Sequence, residues 1–135
     1  TMELNMLTNL FILLSGIVSG FIIFQSFINA PLLFKTLTIE QARPLLRKIF
    51  PILFITNAVI GLIMTVVALI PQSTLMMLIV GLITFIFSAI CMLLVAATNR
   101  AADENNNNRF RVLHTLSVVL TMIIMLINLL WIAIP

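Results

Sequence analysis

Four long apolar runs, separated by short polar stretches, set the pattern of this chain. They cover about residues 7–34, 50–70, 74–98 and 111–134. Each reaches the roughly 20 residues that carry a helix across the hydrocarbon of a bilayer. In lipid, a single segment can satisfy its own backbone groups only as a helix. The pattern therefore predicts an all-α membrane protein, a four-transmembrane-helix bundle that forms one integral membrane domain over residues 1–135. Pro31 predicts a kink late in the first run. Pro51 suits the first turn of the second and Pro71 the position just past its end, because proline lacks the N–H that helix interiors use.

The polar stretches differ in character. Between the first two runs, Thr38 and Gln41 have the spacing of a capping box. A short interfacial helix over about 39–48 is expected there, with Leu45, Leu46 and Ile49 towards lipid and Arg43, Arg47 and Lys48 at the headgroups. Pro71, Gln72 and Ser73 make a tight turn. Residues 99–109, rich in asparagine, read as a mobile polar loop.

Composition agrees with the pattern. Hydrophobic residues are 62% of the chain and charged residues 8%, with a mean hydropathy of +1.27. Soluble domains carry about 25% charged residues, and a chain this short could not bury the apolar surplus in a core of its own. The net charge of +3 comes from only seven basic residues. All of them (Lys35, Arg43, Arg47, Lys48, Arg100, Arg109 and Arg111) lie in the first and third connections or the adjoining helix ends. That placement speaks for membrane orientation and against nucleic acid. Loops rich in Lys and Arg stay in the cytoplasm, so both ends of the chain and the turn at 71–73 are expected outside it, in a bacterial inner (plasma) membrane. Glu3 and the lack of a basic n-region make the first run a retained helix rather than a signal peptide.

Helices in lipid associate through small and polar residues. Each run carries such a stripe at bundle spacing: Ser15, Ser19, Ser26 and Asn29; Asn57, Gly61 and Ala68; Gly81, Thr84, Ser88, Cys91 and Thr98; His114, Ser117, Thr121 and Asn128. One seam per helix predicts a closed, left-handed bundle. Gly16 and Gly20 are expected in the first seam, with dimerisation of two copies as the alternative.

The candidate pocket is Gln25, Asn29, Asn57, His114 and Ser117, read as a polar cluster towards the cytoplasmic helix ends that binds or passes a small molecule. Polar side chains in hydrocarbon are costly unless they pair or line a wet cavity, so mutual hydrogen bonding is the plainer account of the same residues. His114, the one histidine, is expected to bond a neighbour such as Asn57 or Asn29; ligation of haem iron or proton relay is the alternative. Most of the eight methionines lie towards the outer side, where thioethers could handle copper or simply fill space. No cofactor, metal ligand set or catalytic residue is expected. No Asp, Glu, Lys or Arg lies deep in a run, which disfavours proton-coupled export on a membrane carboxylate. The chain has no phosphate-binding glycine loop, Cys-x-x-Cys or HExxH, and no acid in the membrane region to complete a Ser/His/Asp set.

Ser19, Gly20 and Phe21, then Ala30 to Lys35, Gln41 and Ala42, and Arg47 to Pro51 resemble the transmembrane protein 205-like family, known in bacteria as a domain of unknown function. Asn99 and Arg100, Arg109 and Phe110, Leu113 and His114, and Leu116 to Val118 fit that family's second half. The layout is more distantly similar to CopD copper-resistance proteins and HemJ-type protoporphyrinogen oxidases, which are also small helical bundles. The HemJ type has a histidine in its first helix, and this chain has none there. The resemblance implies architecture rather than an activity. The reading is thus an integral membrane protein, more in keeping with a non-enzyme, whose partners are the lipid bilayer and a small-molecule ligand. Alternatives are a haem-, porphyrin- or copper-handling protein using His114, and a structural subunit of a larger membrane complex or homo-oligomer.

Overall fold

A computed structural model of the chain describes residues 2–134. Helix α1 spans Met2–Ile23 and passes through a π-helical segment, Phe24–Asn29, into α2, Ala30–Thr36. Helices α3 (Ile39–Ala68), α4 (Leu75–Asp103) and α5 (Asn107–Leu130) follow, and a 3-10 turn closes Trp131–Ala133. Among the described residues there is no strand. Four helical stretches are long and apolar enough to cross a membrane, α1 and α2 together making the first. The protein is an all-α membrane bundle.

Each helix boundary has a local cause. Pro31 has no N–H for the carbonyl four residues back, at Phe27. The backbone answers just before it by widening, so that the Ala30 N–H bonds the Gln25 carbonyl five residues away. The expected kink is thus a π-turn, a form that recurs at functional sites. At α3 the capping box forms: the Gln41 N–H donates to Thr38 Oγ1 at 3.3 Å and the Thr38 N–H to Gln41 Oε1 at 3.2 Å. The helix it opens then runs unbroken to Ala68, with Pro44 and Pro51 inside it. Residues 39–48 are therefore the first turns of the second span and not a separate interfacial helix. Each proline frees one carbonyl, Glu40's or Arg47's, at the charged end of the span where other groups can take it up.

The connection between α4 and α5 is also shorter than its composition suggests. Residues 99–103 continue α4 and 107–109 begin α5, leaving Glu104, Asn105 and Asn106 as the turn. Asn105 takes φ 55°, and the Asn106 N–H reaches the Ala101 carbonyl while the Asn105 N–H reaches that of Ala102. This is a Schellman closure, with asparagine in the left-handed position usually given to glycine. Asn106 then caps α5 by accepting from the Arg109 N–H. Two of the asparagines that look like a mobile loop are helix punctuation.

The packed pairs run α1–α3, α3–α4, α4–α5 and α5–α1, which closes a ring. The tightest approach is between α3 and α4. A Cβ on Gly61 would lie 2.5 Å from the Phe85 nitrogen and one on Gly81 2.8 Å from the Thr65 nitrogen, so backbone meets backbone at both crossings. At the basic end, Arg47 of α3 forks onto the Asp103 carboxylate of α4 and also donates to the Asn99 carbonyl. Gly16 and Gly20 do not serve the seam. Nothing lies within 4 Å of a Cβ at either, and both face outward. The interior face of the first span is instead Phe11, Ser15, Val18, Ser19 and Ile22 of α1 and Gln25 of the π-turn. A four-residue glycine spacing marks a face of a helix without saying which way it points.

Candidate functional site

The expected seams supply most of the interior. Ser15, Ser19, Asn57, Thr84, Ser88, Thr121 and Asn128 are buried along with Cys91, while Ser26, Asn29, Thr98 and Ser117 are half-buried. These groups follow one another along the bundle axis. Nearest the end that carries both termini, the Trp131 indole donates to Ser15 Oγ at 3.0 Å, its ring edge-on to Phe11. Met64 and Met77 are buried in the same apolar cluster, with Met76, Met122 and Met125 packed against it. The methionines here act as filler, which suits their flexible thioethers.

Next inward, the Asn128 amide donates at 2.8 Å both to Thr84 Oγ1 and to the Ile124 carbonyl, while the Thr84 hydroxyl donates to the Val80 carbonyl. Further along, the Cys91 thiol faces the Ser117 carbonyl at 3.8 Å and Thr121 Oγ1 at 3.9 Å, and the Thr121 hydroxyl donates to that same carbonyl. Towards the basic end, Asn29 Nδ2 donates to Gln25 Oε1 at 2.7 Å, within the π-turn. The widened turn sets Gln25 inward, and it is buried.

Between these paired groups stand five buried polar atoms with no hydrogen-bond partner: Ser19 Oγ, Gln25 Nε2, Asn57 Oδ1, Ser88 Oγ and Asn128 Oδ1. Each of the four spans contributes at least one. Their levels follow from the helix contacts. Asn57 lies one turn from Gly61, which faces Phe85; the antiparallel run of α4 puts it beside Ser88. Asn128 meets Thr84, one turn from Ser88. Ser19 lies one turn in from Ser15, which meets Trp131. At about 1.5 Å rise per residue, these four groups fall within about two turns of a single level, near the middle of α4. An unpaired buried polar group costs about 1–3 kcal/mol, so four of them near one depth make this level the candidate site.

The sequence-derived pocket is therefore divided. Asn57 sits at the mid-bundle level, Gln25 and Asn29 pair towards the basic end, and Ser117 offers its carbonyl to Cys91 and Thr121. His114 is exposed on α5, its ring stacked on Phe110 at 5.6 Å, and no hydrogen bond joins it to Asn57 or Asn29 among the described residues. Position 114 follows Ser117 by spacing, but the stripe has turned out of the interior by the last turn before the charged end. Ser19, Ser88 and Asn128 are legible in the sequence only as packing residues. The signal that would raise them is their shared depth, which requires the register between helices.

A family described as a domain of unknown function, DUF4149, matches residues 13–85, more than half of the chain. The chain belongs to this family. The DUF4149 match takes in α1 from Leu13, the π-turn, all of α3 and the first part of α4. It thus includes Ser19, Gln25, Asn57 and both close-packed glycines, and stops short of Ser88, His114 and Asn128. No curated protein and no solved structure matches the chain.

Proposed function

We propose that the protein binds, and passes along its interior, a small uncharged polar molecule, without catalysing a reaction. The observation that carries this reading is the set of unpartnered atoms Ser19 Oγ, Asn57 Oδ1, Ser88 Oγ and Asn128 Oδ1, one from each span and close in depth. Amides, hydroxyls and a thiol line the axis, with no formal charge among them, which suits a neutral ligand better than an ion. Gln25, Asn29 and Ser117 stand between this level and the basic end and are its natural approach. We take that end as cytoplasmic, because every Lys and Arg of the chain belongs to it, and the membrane as the bacterial inner membrane. An alkaline phosphatase fused after Pro135 should be active and a green fluorescent fusion dark; the reverse pattern overturns the orientation.

The likeness to the transmembrane protein 205-like family rests on the motifs from Ser19 to Pro51 and from Asn99 to Val118, and adds no ligand to this reading. Haem handling through His114 has less support, since the exposed ring would hold iron against lipid rather than inside the bundle. The test is solute entry into proteoliposomes by stopped-flow light scattering, with glycerol and urea as probes. Wild-type vesicles should take up at least one of them faster than empty vesicles, and the Asn57→Leu variant should match the empty ones. Equal rates in all three preparations for both probes would refute the passage of small neutral solutes.

A further inference from the structure

An apolar groove of about 360 Å³ runs along the outside of the bundle where α3 meets α4. Ile55, Val59 and Leu62 form one wall and Phe85, Ala89 and Leu93 the other, and Ala58 and Met92 also line it. Ile55, Val59 and Leu62 are about half exposed and Leu93 is 78% exposed, so the groove opens to lipid.

Followed towards the basic end, both walls finish on a cation. On α3 the outward row Leu62, Val59, Ile55, Ile52 continues at helical spacing to Lys48. On α4 the row Ala89, Leu93, Ala96 continues to Arg100. Lys48 and Arg100 are exposed, and each lies seven residues, about 10 Å, beyond the last wall residue on its helix. The register set by Gly61 against Phe85 brings position 48 level with position 98, two residues from Arg100. Nearby Asp103 is held by Arg47, the one ion pair among the described residues. Glu104, at the end of α4, and Glu40, in the first turn of α3, are the other acids at this end, and neither has an ion-pair partner among the described residues.

We propose that this groove is a binding site for an anionic phospholipid, with an acyl chain lying between α3 and α4 and the headgroup phosphate on Lys48 and Arg100. Charge complementarity selects the occupant: a neutral helix of a second copy would leave two cations facing lipid, whereas a phosphate pairs with both. An apolar groove of this kind suits an acyl chain, and basic groups near membrane helices at the headgroup level suit anionic headgroups.

The experiment is native mass spectrometry of the delipidated full chain, offered phosphatidylglycerol or phosphatidylcholine with identical acyl chains. The wild type should retain phosphatidylglycerol several-fold better than phosphatidylcholine. The double variant Lys48→Gln/Arg100→Gln should bind the two lipids alike, while Arg109→Gln/Arg111→Gln, with the same loss of charge, should keep the preference. Ala89→Trp should reduce retention of both lipids by occupying the groove. Equal binding of the two lipids by the wild type, or a preference that survives loss of Lys48 and Arg100, refutes the site. A dimer that Ala89→Trp abolishes would show that a second copy takes the groove instead.

Discussion

Gly61→Leu should be among the most damaging single substitutions in the bundle, lowering the melting temperature in detergent far more than Gly16→Leu or Gly20→Leu. The reason lies in what each added side chain meets. Even a methyl group on Gly61 would stand 2.5 Å from the Phe85 nitrogen and 2.8 Å from its Cα, and backbone cannot swing aside as a side chain can. Relief requires α3 and α4 to separate, which also disturbs the second close contact, at Gly81 and Thr65. Overpacking costs about 1–3 kcal/mol where side chains can adjust, and here the cost should lie at or above the top of that range. Lipid supplies no hydrophobic drive to push the helices back together, so lost packing is not otherwise offset. Gly16 and Gly20 face outward with nothing within 4 Å, and leucine there adds one more apolar group to a lipid-facing surface. Similar losses from Gly61→Leu and Gly20→Leu would show that α1 packs in another way.

Much of this fold was legible in the sequence, because a bilayer imposes strong and simple rules. Run length and hydropathy identify four spans, and the placement of Lys and Arg gathers two connections at one end. The small and polar stripes name interior residues well: Ser15, Ser19, Asn57, Gly61, Gly81, Thr84, Ser88, Cys91, Thr121 and Asn128 are all buried. Features that depend on a partner or on backbone detail were not legible. Gly16 and Gly20 have the spacing of a helix contact, yet the interior face of α1 is turned away from them. Pro51 reads as a helix start, but α3 is already running when it reaches that residue. The asparagines at 105 and 106 look like loop composition until φ and hydrogen bonds show them closing one helix and opening the next. In the candidate site, the polar residues are visible as a set, whereas their shared level is fixed only by which residues face one another across α3, α4 and α5. His114 shows the same limit, since extending a stripe by one more turn does not keep it inside.

Whether something polar completes the mid-bundle groups is decided by Asn57→Leu. Leucine has asparagine's branched shape, with bulkier methyl groups, and carries no hydrogen-bonding group. Asn57 is 1% exposed, and its Oδ1 has no protein partner. If the interior around it were dry, the native amide would stand unpaired at a cost of about 1–3 kcal/mol, and replacing it with leucine would remove that cost. The variant would then melt higher than the wild type. If water or a small polar ligand completes Ser19, Asn57, Ser88 and Asn128, leucine withdraws one partner from the set and leaves that occupant and the remaining groups underbonded. The variant would then melt lower. The thermal midpoint of Asn57→Leu, measured against wild type in the same detergent, should fall; a rise would mean that the interior around Asn57 is dry and that no polar molecule binds there.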